Sequence, residues 1–182
     1  MSEVPEFSYR VDVASLPGTG IERPLRPTAD ELAAVARRLD LQAIEQMDIK
    51  IRVTPWRSFG AKLHGTFSAD VIQTCVVSLE PVSAHVEDEF DIRYLPARMI
   101  EEDASKGEVL SDPSSDEDAP EALGGDTGSI LDAGEAVVQY LSLALDPYPR
   151  HRDASLPDEA SLPDEPSPFA VLAALKLQDK DK

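Results

Sequence analysis

Lys62–Leu95, KLHGTFSADVIQTCVVSLEPVSAHVEDEFDIRYL, is the stretch that decides the fold. Leu63, Gly65, Phe67, Ala69, Val71, Gln73, Cys75, Val77 and Leu79 share one parity, and all but Gly65 and Gln73 are apolar. Alternate side chains of an extended chain point to opposite faces, so this spacing predicts a long strand with one buried face. Pro81 interrupts the pattern, and Phe90, Ile92 and Tyr94 then resume it, which predicts an antiparallel neighbour.

Working outward, Ala43 to Trp56 reads as another strand, because Ile49, Ile51 and Val53 alternate with Lys50 and Arg52. Before it, Leu32, Val35, Ala36 and Leu39 form a stripe at helical spacing. Thr28 and Glu31 stand at the spacing of a capping box for that helix. Phe7, Tyr9, Val11 and Val13 predict a first, half-buried strand ended by the turn-rich LPGTG of Leu16 to Gly20. Sequential strands with one early helix predict an α+β domain: an antiparallel sheet with one or two packed helices.

The first part of that domain is expected over 1–98. Residues 99–128 are acidic and broken by Gly, Ser and Pro, and predict a disordered insert. Over 129–150 a helix completes the domain. Asp132 and Glu135 repeat the capping spacing, Val137, Val138, Leu141, Ala144 and Leu145 supply the apolar face, and Pro147 and Pro149 stop it near Asp146. A duplicated ASLPDE at Ala154–Glu159 and Ala160–Glu165 predicts a flexible linker over 151–166. The remainder, 167–182, predicts a short helix and tail, with Ser167 and Pro168 at its start and Phe169, Leu172 and Leu175 along one side.

The 182-residue chain carries 17 Lys and Arg against 35 Asp and Glu, a formal charge of −18. Phosphate backbones are bound largely through Lys and Arg, so general RNA binding is disfavoured unless the few bases cluster. One cysteine excludes an intramolecular disulfide and a zinc site built from several thiolates of one chain. The first residues lack a basic stretch leading into an apolar one, and no run reaches the length of a membrane helix, so a cytoplasmic location is expected.

No catalytic constellation emerges. His64, His85 and His151 stand apart, and no phosphate-binding glycine loop or nucleophile elbow is present. Gly124-Gly125 reads as a turn within the acidic insert. The adjacent acids Glu101-Glu102 and Asp116-Glu117-Asp118 lack the glycine-turned spacing of a calcium loop. Cys75, in phase with Val71, reads as a buried structural thiol. The expectation is a non-enzyme with no cofactor, no metal and no small-molecule substrate.

Three stretches in series carry a resemblance. Val71-Ile-Gln-Thr-Cys-Val-Val-Ser-Leu-Glu-Pro-Val82 resembles the signature strand of the YceD family, domain of unknown function 177. Leu131 to Arg150 is similar to the family's acidic-start helix with a proline-rich stop, and Pro168 to Lys176 is similar to its C-terminal motif. The resemblance implies a role in accumulation or processing of 23S ribosomal RNA and in large-subunit assembly, in bacteria. Many members have a Cys-x-x-Cys pair where this chain reads Cys75-Val-Val-Ser78, so no zinc role carries over.

Joined to the charge, the resemblance implies action through a basic protein partner, a ribosomal protein or assembly factor. Candidate partner-binding residues are Gln73, Cys75, Leu79, Glu80 and Pro81 in the signature strand and turn. Asp146, Pro147, Tyr148 and Arg150 at the helix stop, and Phe169, Leu172 and Leu175 in the C-terminal segment, complete the set. The last three are open to docking on the chain's own sheet or in a partner's groove. Two alternatives stand beside this reading. One is direct RNA binding through Lys50, Arg52, Arg57 and Lys62, and the other an acidic adaptor or chaperone for a ribosomal protein.

Overall fold

Every second residue from Ala61 to Gln73 is buried and the residues between them are half-buried, so one strand carries the whole molecule. The computed structural model describes residues 5–105 and 119–155. In chain order they form β1 (Arg10–Asp12), a 3-10 turn (Val13–Ser15), β2 (Ile21–Leu25), α1 (Ala29–Arg38), β3 (Ala43–Trp56), β4 (Gly60–Thr74) and β5 (Pro81–Leu95). After these come α2 (Ala97–Ser105), β6 (Glu121–Ala122), β7 (Ile130–Asp132) and α3 (Ala133–Ala144). The main sheet has the order β2-β3-β4-β5-β6, and β1 pairs with β7 in a small second sheet. All pairings are antiparallel except β5 with β6, which is parallel at Tyr94↔Glu121 and Leu95↔Ala122.

The core lies on one face of the sheet. Ile51 and Val53 of β3, Leu63 and Val71 of β4, and Phe90 and Ile92 of β5 meet Val35 and Ala36 of α1 and Val137, Val138 and Leu141 of α3. Each Val, Leu, Ile or Phe side chain among them contributes about 1.5–3 kcal/mol on leaving water, which outweighs the weak local preferences of the segments. Gly65 is part of this packing. A Cβ there would stand 2.3 Å from the Phe90 ring, which itself stacks on Tyr140 at 4.2 Å between centroids.

Both predicted helix starts are present. Thr28 Oγ1 accepts from the Glu31 N–H at 3.3 Å while the Glu31 carboxylate accepts from the Thr28 N–H at 2.7 Å. Asp132 Oδ1 accepts from Gly134 and Glu135 at 3.1 and 3.2 Å, and also from the Tyr9 N–H at 3.0 Å, tying α3 to the N-terminal segment. Arg38 at the end of α1 donates to both oxygens of Glu135, at 2.6 and 2.8 Å, and to Glu6 at 3.1 Å. That fork ties the end of α1 to the first turn of α3 and holds the Glu135 carboxyl below the ordinary carboxylate range.

The structure departs from the sequence reading in four places. The first strand is only Arg10–Asp12, because the Asp12 side chain accepts from the Ala14 N–H at 3.0 Å and turns the chain into the 3-10 segment. Ile21–Leu25, which the sequence reading assigns to no element, is an outer strand that contains Pro24. The helix Ala97–Ser105 runs into the acidic stretch 99–128, and within that stretch Glu121–Ala122 pairs with β5. Leu123 is buried there and Gly124 bridges Ile130, so ordered chain extends into both ends of the expected insert. The alternation also stops at Cys75, so Val77 and Leu79 are not strand residues.

Candidate functional site

The face of the sheet away from the helices has no layer of secondary structure over it among the described residues, and register alone assembles its rows. Thr54, Lys62 and Arg93 make one row across β3, β4 and β5. Next come Glu22, Arg52, His64 and Asp91, then Pro24, Lys50, Thr66 and Glu89. Asp48, Ser68 and Glu87 follow, and then Gln46, Asp70 and His85. Basic residues therefore gather toward the β3–β4 hairpin and carboxylates toward the other end.

A cleft of about 610 Å³ lies over the middle of this face, lined by Asp48, Ser68, Glu87, Asp88 and Glu89 among others. Arg26 and Lys50 reach the same cleft, but Arg26 pairs with Asp48 at 3.3 Å and Lys50 with Glu22 at 2.8 Å. Beside it, His85 Nδ1 lies 2.6 Å from Asp70 and Nε2 3.0 Å from Glu87. Those two carboxylates, Asp70 first, raise the pKa of the His85 imidazole.

The four bases singled out from the sequence, Lys50, Arg52, Arg57 and Lys62, do come to one region, but they do not form a broad positive face. Lys62 and His64 share Asp91, at 3.3 and 3.4 Å, and Glu22 stands in the row of Arg52. Trp56 and Arg93 join this corner. The guanidinium of Arg57 lies 4.7 Å from the Trp56 ring centroid and that of Arg93 5.4 Å.

The signature residues occupy the opposite end of β4. Cys75 is fully buried, and its Sγ accepts from the backbone N–H groups of Val77, Ser78 and His151 at 3.3–3.4 Å. The Ser78 hydroxyl, followed by these N–H groups, outweighs burial and brings the thiol pKa down to about 6. The turn closes by bonds from the Cys75 N–H to the Glu80 carbonyl, 2.8 Å, and from the Leu79 N–H to the Cys75 carbonyl, 3.0 Å. Leu79 takes a positive φ of 61° and is 74% exposed, whereas its parity had placed it in the core.

Gln73 is 7% exposed; its Nε2 donates to the Asp146 carbonyl at 2.9 Å, while its Oε1 has no partner among the described residues. The helix stop packs over this turn. The Val76 N–H donates to the Pro149 carbonyl at 2.9 Å, and the Asp146 side chain accepts from the Tyr148 N–H at 2.9 Å. Tyr148 is 70% exposed and Val76 46%, so with Leu79 three apolar side chains stand out at this end. Pro147 and Pro149 line a second cleft with Gln73 and Asp146, while Pro81 opens β5, and Glu80 and Arg150 are exposed. Phe169, Leu172 and Leu175 lie outside the described residues.

The Cys75 turn, Gln73 and the helix stop are thus one unit held by backbone hydrogen bonds. A family model described as large ribosomal RNA subunit accumulation protein YceD matches residues 63–176, a span that opens in β4 and takes in this unit. The chain belongs to the YceD family. No curated protein and no solved structure matches it. In this YceD-family chain Ser78 stands at the second position of the Cys-x-x-Cys pair, bonded to the thiol it would otherwise accompany. Among the described residues no three His, Cys, Asp or Glu side chains converge on a metal-sized site, and no helix is long and apolar enough to cross a membrane.

Asp48, Asp70, Glu87 and Glu89 went unnoticed in the sequence. The signal was present as the polar half of each alternation, but only register brings those halves from three strands onto one face.

Proposed function

We propose that this protein is a non-enzymatic factor of ribosome biogenesis that supports 23S rRNA accumulation and large-subunit assembly through contact with a basic protein partner. The observation that carries this is the cleft on the open face of the sheet into which Asp48, Glu87 and Glu89 bring their carboxylates. A cationic segment entering it meets several carboxylates at once, and complementary charge speeds encounter and selects the partner. The exposed Leu79 and Tyr148 offer apolar anchors further along the same molecule, and the Cys75 turn with Gln73, Glu80 and Pro81 holds them in place. Family membership supports the pathway: the family's description is accumulation of the large ribosomal RNA subunit.

The test is nuclease-treated affinity purification of the full chain from cells, with the bound proteins identified, beside the Glu87→Lys/Glu89→Lys variant. The expected result is recovery of a basic ribosomal protein or assembly factor that the variant loses. Equal recovery by both, or recovery only while RNA is intact, overturns the reading. An acidic adaptor for a ribosomal protein is the same contact with a different outcome: the partner alone, free of particles, would then co-purify in stoichiometric amounts.

A further inference from the structure

We infer that the corner at the β3–β4 hairpin is a contact site for single-stranded RNA, separate from the acidic cleft. Three observations converge on it. Trp56 is half-buried, and guanidinium groups from Arg57 and Arg93 lie against its ring, which gathers positive charge beside an aromatic side chain. Phe59 at the hairpin tip is 69% exposed, and it lines a cleft of about 380 Å³ beside Arg98. The tip itself is held in an unusual shape: Arg57 and Phe59 both take positive φ, 51° and 72°, though neither is glycine.

The cause of that shape is local. Gly60 is clamped between the backbones of β3 and β5, where a Cβ would stand 2.6 Å from the carbonyl oxygens of both Trp56 and Tyr94. The chain must therefore reverse within Arg57, Ser58 and Phe59, and it does so by turning Phe59 outward. Two aromatic rings and the bases Arg57, Lys62, Arg93 and Arg98 result at one end of an otherwise acidic molecule.

Asp91 pairs with Lys62 and Asp126 lies by Arg98, so the corner is too weakly positive to hold a duplex by charge alone. The exposed ring of Phe59 selects unpaired bases instead, since every base has a face on which to stack. A-form duplex keeps its bases stacked on each other and offers none.

Trp56 is the single tryptophan of the chain, so its emission reports on this corner alone. The experiment titrates the full protein with an oligouridylate of about eight nucleotides at low salt, with inorganic polyphosphate and a short RNA duplex as parallel probes. Saturable quenching by the oligonucleotide is expected, weakening with salt at a log–log slope of about −1.5 to −2, as two or three phosphate contacts imply. Phe59→Ala, at an exposed position, should weaken binding about 5- to 100-fold with its urea midpoint unchanged. Arg57→Ala should weaken it and flatten the salt slope by about 0.7.

Polyphosphate that quenches as well as the oligonucleotide, or duplex that binds equally, would reduce the corner to a plain anion site and overturn the inference. So would the absence of quenching, or full affinity in Phe59→Ala. Neither result touches the acidic cleft, whose own test is capture of a protein after nuclease.

Discussion

Gly65 sits in the middle of the strand that organises the core, and its replacement by alanine puts a number on how tightly that core is filled. The added Cβ would come within 2.3 Å of Phe90 Cζ, and two further ring carbons lie at 2.6 and 2.9 Å. The ring has nowhere to retreat, since Phe90 is buried and stacked on Tyr140. Overpacking of this kind costs about 1–3 kcal/mol. With an m-value of about 2 kcal/mol per molar urea, the midpoint should fall by roughly 0.5–1.5 M. Trp56 emission follows the transition. Phe90→Ala alone should cost about 3–5 kcal/mol, and in that background the alanine at 65 should cost nothing, because the clashing ring is gone. The coupling between the two sites is then about 1 kcal/mol or more. A Gly65→Ala midpoint equal to that of the parent, or the same cost in both backgrounds, would refute the claim that the ring occupies the glycine's missing side chain.

Three further outcomes follow from the same geometry. Asp132→Ala removes the acceptor for Gly134, Glu135 and Tyr9, and should lower stability by about 2–3 kcal/mol in urea unfolding, while Asp132→Asn should keep much of it. The His85 imidazole has its pKa raised in the folded chain by Asp70 and then Glu87, so its contribution to stability is complete below about pH 6.5 and is lost as pH rises through the folded value. Unfolding midpoints of the parent and His85→Gln should therefore converge as pH rises well above about 6.5; a gap that widens with rising pH would contradict the pairing. Cys75 has the opposite sign: with the folded thiol at about 6 against 9.0 ordinarily, its contribution is present above pH 9 and fades as pH falls through 6. Even so, the thiol is buried, so iodoacetamide followed by mass spectrometry should label it at least about 100-fold more slowly in the native chain than in urea.

Much of this architecture was legible in the sequence because the sheet's core is regular. β3 begins and ends at Ala43 and Trp56 as its alternation indicates, and both helix caps stand where Thr28 and Asp132 put them. Reading failed where the determinant was not periodic. Pro24 masks β2 because proline is tolerated in an outer strand but looks like a break. Leu79 carries the right parity and the wrong fate, since three hydrogen bonds to the Cys75 thiol and the closure onto Glu80 bend the chain before parity can act. Of the candidate site residues, Lys50, Arg52, Arg57 and Lys62 were visible as a cluster of bases, but their carboxylate neighbours come from other strands and appear only with the register. Trp56 was visible as the one tryptophan, and its two arginines were not, because Arg93 reaches it from β5.

β5 is 15 residues long, yet among the described residues only Tyr94 and Leu95 have a neighbour on its outer side. Among the described residues no strand pairs with the rest of that edge, and open edges are the ordinary route by which sheets extend from molecule to molecule. Glu87, Asp88, Glu89 and Asp91 stand along it. Stacking a second copy there would bring Glu87, Asp88 and Glu89 close to the same residues of the copy, a penalty that acid would erase by protonating them. A cationic strand suffers no such penalty, so the border that turns away its own kind is one where a basic polypeptide could be received as a further strand.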